Sequence, residues 1–114
     1  MKLIFTIMLL LAGCLNGAVP SVGLASWYGE DHRGKLMANG RPFNPDAMTC
    51  ASWHYPLGTR LKVRSGTRQV IVTVTDRGPN RRFKKRIIDL SRASFARLAP
   101  LSRGLTQVNV ERLP

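Results

Sequence analysis

From Arg60 to Thr75 the chain keeps a two-residue period. Leu61 and Val63 alternate with Arg60, Lys62 and Arg64, and Val70, Val72 and Val74 alternate with Ile71, Thr73 and Thr75. Only a pleated strand sends successive side chains to opposite faces, so this stretch is bound to form two strands. Ser65-Gly66-Thr67 between them supplies the turn of a hairpin. Gly23 to Gly29 carries β-favouring aromatics between two glycines and is expected as a first strand, Arg86 to Leu90 as another, and Gly104 to Glu111 alternates again. Ser91 has the chemistry of a helix cap, predicting a helix to about Leu98 that Pro100 stops. Residues 30–46, rich in Gly, Asn, Pro and charge, read as loop, with a tight turn at Asn39-Gly40. The segment Met48 to Trp53 fits a strand or a helical turn. Short strands at close spacing with one or two short helices make a mainly β chain, a small closed or nearly closed barrel.

The N-terminus points to export. Lys2 is followed by an apolar run from Leu3 to Ala12 that ends in Leu11-Ala12-Gly13-Cys14. The run is too short for a bilayer, which needs about 20 residues, and suits a signal peptide. Leu-Ala-Gly-Cys resembles the lipobox of bacterial lipoproteins, which implies acylation of Cys14. The expected organisation is a signal peptide over 1–13, a lipidated Cys14 with a short tether to 22, and one domain over 23–114. The alternative is a plain secretory signal cut near Ala18. Leu15 is not the Asp that lipoproteins retained at the inner membrane resemble one another in carrying, so the expected address is the periplasmic face of the envelope, with the outer membrane favoured.

Eighteen Lys and Arg stand against six Asp and Glu, a formal charge of +12. Such a field draws polyanions. Export removes nucleic acid as the expected partner and leaves peptidoglycan carboxylates, anionic lipid and other anionic envelope polymers. With Cys14 acylated, Cys50 has no partner for an internal disulfide and is expected as a small buried apolar residue. His32 and His54 stand far apart at no metal-ligand spacing, and no metal or cofactor is implied.

Ala25-Ser-Trp-Tyr-Gly29, Ala38-Asn-Gly40, Pro56-Leu-Gly-Thr59, Asp76-Arg-Gly-Pro79 and Ile88-Asp-Leu-Ser91 follow one another in the order of the rare lipoprotein A family, which the chain resembles across residues 23 to 112. The resemblance implies a six-stranded double-psi β-barrel. It also implies an endolytic lytic transglycosylase, a lyase that cleaves the N-acetylmuramic acid to N-acetylglucosamine bond of peptidoglycan and leaves a 1,6-anhydro end. That chemistry manages with one carboxylate, because the sugar's own 6-hydroxyl replaces the nucleophile a second carboxylate would prepare. The resemblance makes Asp76 the acid and base; from the residues alone, a carboxylate holding Arg77 and loop backbone at a strand end is the plainer account. Asp89 and His54 are candidates to assist, although Asp89 also suits structural hydrogen bonding before the Ser91 cap. Trp27, Tyr28, Trp53, Tyr55 and Arg77 are candidates to bind glycan, since aromatic faces stack on pyranose rings; Trp27 suits barrel core equally. The run Arg81-Arg-Phe-Lys-Lys-Arg86 is expected beside the groove, as a clamp for acidic stem peptides or lipid headgroups or as a solvated loop. Two departures fall where the family's catalytic residues lie: its histidine falls on Ser52 and its glutamate on Arg41. They favour a second expectation, a non-catalytic, expansin-like glycan-binding lipoprotein. A basic envelope protein that binds lipid or nucleic acid without a sugar site is the third. A monomer is expected.

Overall fold

The computed structural model describes residues 19–114; the expected signal peptide and Cys14 lie outside the described residues. Six strands, β1 (Val22–Tyr28), β2 (Thr49–Ala51), β3 (Arg60–Ser65), β4 (Arg68–Asp76), β5 (Arg86–Ser91) and β6 (Thr106–Arg112), close into a barrel in the order β1-β5-β2-β4-β3-β6. β1 runs parallel to β5 and β2 parallel to β4, while the remaining neighbours are antiparallel. This is the expected six-stranded double-psi barrel.

Alternation decides what fills it. Val70, Val72 and Val74 of β4 are buried, as are Leu61 and Val63 of β3 and Val108 and Val110 of β6, and they meet Ala25, Cys50, Ile88 and Leu90 inside. A barrel this narrow has room for side chains only, so these branched residues form a core and leave no channel. The β3–β4 turn is tighter than the sequence implies: the strands run to Ser65 and from Arg68, leaving two turn residues. Gly66 takes φ +61 at the first of them, a conformation closed to most L-residues and matched to strand twist.

Helix α1 (Arg92–Ala96) plugs one end with Phe95, which is fully buried. Ser91 caps it as expected: its Oγ accepts the Ser94 N–H at 3.2 Å and donates to the Ala47 carbonyl at 2.6 Å. The helix ends at Ala96, not near Leu98. Arg97 N–H reaches back only to Ser94 and Leu98 N–H to Phe95, three-residue steps that tighten the last turn and tuck Leu98 inward.

The segment left open, Met48 to Trp53, holds a strand of only three residues. β2 is inserted between β4 and β5, and that insertion creates the site described next. At the N-terminal edge, Ser21 accepts the Val110 N–H at 2.7 Å and Val22 opens β1, so the last residues of the expected tether are part of the barrel.

Candidate active site

Ala51 has two aspartates as lateral neighbours. Its Cα partner in β4 is Asp76 and its partner in β5 is Asp89, so the short strand holds the two carboxylates on either side of one small residue. Both lie outside the barrel core. Asp89 alternates with buried Ile88 and Leu90, and Asp76 ends β4 just past buried Val74 and Thr75.

Asp76 Oδ1 accepts two backbone N–H groups, from Ala38 and Arg77, each at 2.9 Å, while its carbonyl accepts the Ser52 N–H at 3.0 Å. The Ala38 bond, with one from Asn39 N–H to the Thr75 carbonyl, docks the Ala-Asn-Gly turn on the end of β4. That contact explains why those two motifs belong together. Among the described residues it leaves Oδ2 of Asp76 without a partner. The structural role expected of Asp76 as a plain loop holder is therefore present, and it uses one oxygen.

Asp89 Oδ1 accepts the Ser26 hydroxyl at 3.2 Å. Burial pushes its carboxyl up to about 6, against the opposing pull of Ser26, His32 and Arg86 and with a further push from the Asp76 charge. Gly78 lies over the pair: a Cβ there would stand 3.2 Å from Ala51 Cβ and 3.9 Å from an Asp89 carboxylate oxygen. Glycine leaves room here that a larger residue would gain only by pushing Ala51 aside by a few tenths of an ångström.

Tyr28 completes the arrangement. It shares the face of β1 with Ser26, stacks on Phe43 with centroids 4.2 Å apart, and meets the His32 ring edge-on at 5.6 Å. Its hydroxyl is buried with no hydrogen-bond partner among the described residues. Burial, and then the charges of Asp76 and Asp89, hold it far above the usual phenol range, so it stays a proton donor. An unpaired buried O–H within the field of two carboxylates is costly unless a ligand accepts from it.

Several expectations require correction. Trp27 alternates with Ser26 and Tyr28 along β1; its indole packs toward Phe95 and donates to the Leu101 carbonyl at 3.1 Å, the core role that suited it equally, and it also lines a surface cleft with Tyr28 and His32. Tyr55 also packs on the core. Arg77 has a structural duty as well: its Nη1 donates to the Ser52 and Tyr55 carbonyls, both at 2.7 Å, and ties the loop after β4 to the bend after β2. His54 does not continue a strand beside the acids. β2 stops at Ala51, the chain bends, and exposed His54 lines a cleft with Trp53 while its N–H donates to Ser52 Oγ. Ser52 itself is buried. Trp53 stays at the surface, 41% exposed, as a groove wall requires.

The imidazole beside Tyr28 is His32, expected only as a loop residue, whose charge opposes the rise of the Asp89 carboxyl. No spacing in the sequence pairs it with Asp89, 57 positions away. Ser26 is a second residue that sequence reasoning passes over, although its place two before Tyr28 on one strand face was readable. Cys50 is fully buried as expected, and burial raises its thiol far from the reactive range.

Residues 20–110 match the sequence profile described as lytic transglycolase. The chain belongs to this family, that of rare lipoprotein A. Among its relatives, the endolytic peptidoglycan transglycosylase RlpA of Campylobacter jejuni is 41% identical over 91 residues, covering 78% of this chain and 32% of that protein. The protein of the same name from Rickettsia felis is 43% identical over 98 residues, covering 81% and 42%. The chain thus spans between about a fifth and two-fifths of the length of the rare lipoprotein A relatives it matches. Among solved structures, the Streptomyces papain inhibitor superposes with a TM-score of 0.62 at 26% identity over 83% of this chain and 98% of that one. An expansin of Clavibacter michiganensis gives 0.66 at 24% identity over 82% and 50%, a likeness of fold.

Proposed function

We propose that this lytic transglycolase family member cleaves peptidoglycan glycan strands between N-acetylmuramic acid and N-acetylglucosamine, leaving 1,6-anhydro ends. The observation that carries the proposal is the pairing of Asp76 and Asp89 across Ala51, with the unpartnered Tyr28 hydroxyl beside them. The names of the relatives support the same substrate. In the reaction the muramic acid 6-hydroxyl oxygen bonds to its own C1 as the bond from C1 to the N-acetylglucosamine oxygen breaks. Asp76 gives a proton to that leaving oxygen and recovers one from the 6-hydroxyl. Asp89, uncharged below about pH 6, and Tyr28, a phenol throughout, orient the sugar as donors. A single reacting carboxylate suffices because the nucleophile comes from the substrate.

One observation favours the second reading, a glycan-binding module without turnover: exposed Arg41 and buried Ser52 stand where the family has glutamate and histidine. Incubating the full chain with sacculi and with amidase-stripped strands, and identifying the fragments by mass spectrometry, separates the two. Anhydro products that vanish with Asp76→Asn support the enzyme. No products from either substrate, with strands still retained by the protein, leave the binding module. The same proposal holds the chain in the cell envelope through acylated Cys14, on the strength of the Leu-Ala-Gly-Cys sequence; Cys14→Ala should release it from the membrane fraction.

A further inference from the structure

The basic run before β5 and the entry of the chain into β1 lie on one face of the barrel. Leu24 N–H donates to the Lys85 carbonyl at 2.8 Å, and a Cβ on Gly23 would stand 3.1 Å from that same carbonyl, so the run is laid against the first residues of β1. Between them lies a cleft of about 570 Å³ lined by Pro20, Val22, Lys84, Lys85 and Arg86. It shares His54, Lys84 and Arg86 with a second cleft, of about 360 Å³, that reaches Phe83. No carboxylate lines either one. The run from Arg81 to Arg86 holds five basic side chains, and among the described residues every ion pair belongs to Arg33, Arg92 or Lys62 instead.

Apolar side chains stand among these charges. Val22 is 58% exposed, Val19 37% and Phe83 36%. Phe83 is held out by its own turn: its N–H donates to the Asn80 carbonyl at 3.0 Å, its carbonyl accepts the Arg86 N–H at 3.2 Å, and the Arg86 guanidinium lies over its ring at 4.0 Å. Exposed aliphatic and aromatic groups among unpaired cations suit a lipid interface, where phosphates meet the cations and apolar groups reach the acyl boundary. The course of the chain argues for the same occupant. Val19 follows Cys14 by five residues, which span no more than about 18 Å. The end of the barrel that α1 plugs lies farther away by the length of β1, about 20 Å for its seven residues. An anchor on Cys14 therefore keeps the basic face, and not the α1 end, beside the lipid.

We propose that this face docks on the anionic phospholipid of the membrane that holds Cys14, with the basic run on the phosphates and Val22 and Phe83 at the acyl boundary. The proposal rests on the reading of Cys14 as acylated, and it gives the anchor a second, reversible contact that sets how the barrel sits on the membrane. Asp89 follows Arg86 by three residues on β5, about 10 Å along the strand, so a docked barrel keeps the acid pair clear of the lipid. The membrane then fixes the height at which the site meets its substrate.

The test uses the full chain carrying Cys14→Ala, so that binding is read without an acyl group, and compares its partition onto vesicles of mixed phosphatidylglycerol and phosphatidylcholine with that onto phosphatidylcholine alone. The apolar N-terminus is common to every variant and cancels in the comparison. One double variant, Lys84→Gln with Lys85→Gln, removes two charges from the face. A second, Arg68→Gln with Arg103→Gln, removes the same charge from the cleft beside α1. All four side chains are exposed, so neither pair disturbs the core. The expected result is a preference of the parent for anionic vesicles that falls on the order of tenfold or more in the lysine pair and less than about threefold in the arginine pair, because each cation counts only within a Debye length of the surface. Equal losses in the two pairs overturn the proposal in favour of net charge without a docking face. A parent with no preference for anionic vesicles overturns it outright. Loss of co-sedimentation with whole sacculi in the lysine pair, with vesicle binding unchanged, overturns it in favour of a cell-wall contact. The anchor is read separately, from the intact mass of the unsubstituted chain recovered from envelopes: an unmodified Cys14 sinks the anchor reading, while a lysine-dependent preference for anionic vesicles still supports the face.

Discussion

Asp89 concentrates the electrostatic cost of the site. Its folded value of about 6 lies above the ordinary 3.8, so the folded state binds its proton more tightly than the unfolded chain does. That contribution is present below about pH 4 and is lost as pH rises through about 6. Replacing it with Asn, which keeps an acceptor for Ser26 and carries no charge, should stabilise the protein near pH 7.5 by up to about 2–3 kcal/mol and change little near pH 4. Thermal melts across that range check this. If the carboxylate takes part in turnover, the same variant loses the inflection near pH 6 from the profile of kcat/KM. Tyr28→Phe separates a ligand donor from a structural one. The buried hydroxyl has no partner, so its removal should leave Tm unchanged or raise it, while kcat/KM falls on the order of ten- to a hundredfold. A fall in Tm would mean that the hydroxyl supports the fold instead.

Helix α1 illustrates how a short element is held from outside. Five residues are too few to be helical alone, so the capped first turn and buried Phe95 must supply its stability. Phe95→Ala should cost about 3–5 kcal/mol and Ser91→Ala about 1 kcal/mol or somewhat more, both measured by denaturant melts. Beside it, Glu30 and Asp46 each bind Arg33 and Arg92, closing a ring of four alternating charges between the turn after β1, the long loop and α1. All four side chains are more than a quarter exposed, so the ring sets loop position and adds little to stability. It holds the loop that brings His32 and Phe43 against Tyr28. The cap residue was legible from its chemistry and place. The helix end was not, because the tightened last turn depends on Leu98 and Ala99 being drawn against the core.

At the scale of the molecule, a charge of +12 on so small a surface makes attraction to sacculi a salt-dependent quantity. Retention of the protein by whole sacculi should weaken steeply as salt rises from about 0.01 M to about 1 M, where the Debye length falls from about 30 Å to about 3 Å. Retention by amidase-stripped strands should weaken as well, since each bared muramic acid presents its lactyl carboxylate; co-sedimentation measures both. The five longer strands, the β3–β4 hairpin, the Ser91 cap and the burial of Cys50 were determined by the sequence itself, because alternation, turn chemistry and capping act between residues close along the chain. The order of Asp76-Arg-Gly-Pro and Ile-Asp-Leu-Ser also named both aspartates without any structure. Only the tertiary structure decided that they flank Ala51, that Tyr28 meets His32 edge-on and stacks on Phe43 while the Trp27 indole reaches the Leu101 carbonyl, and that Arg77 Nη1 holds the Ser52 and Tyr55 carbonyls. Those outcomes depend on which strand lies beside which. A three-residue strand inserted between β4 and β5 carries too little periodicity to announce its place, and barrel closure assigns it one.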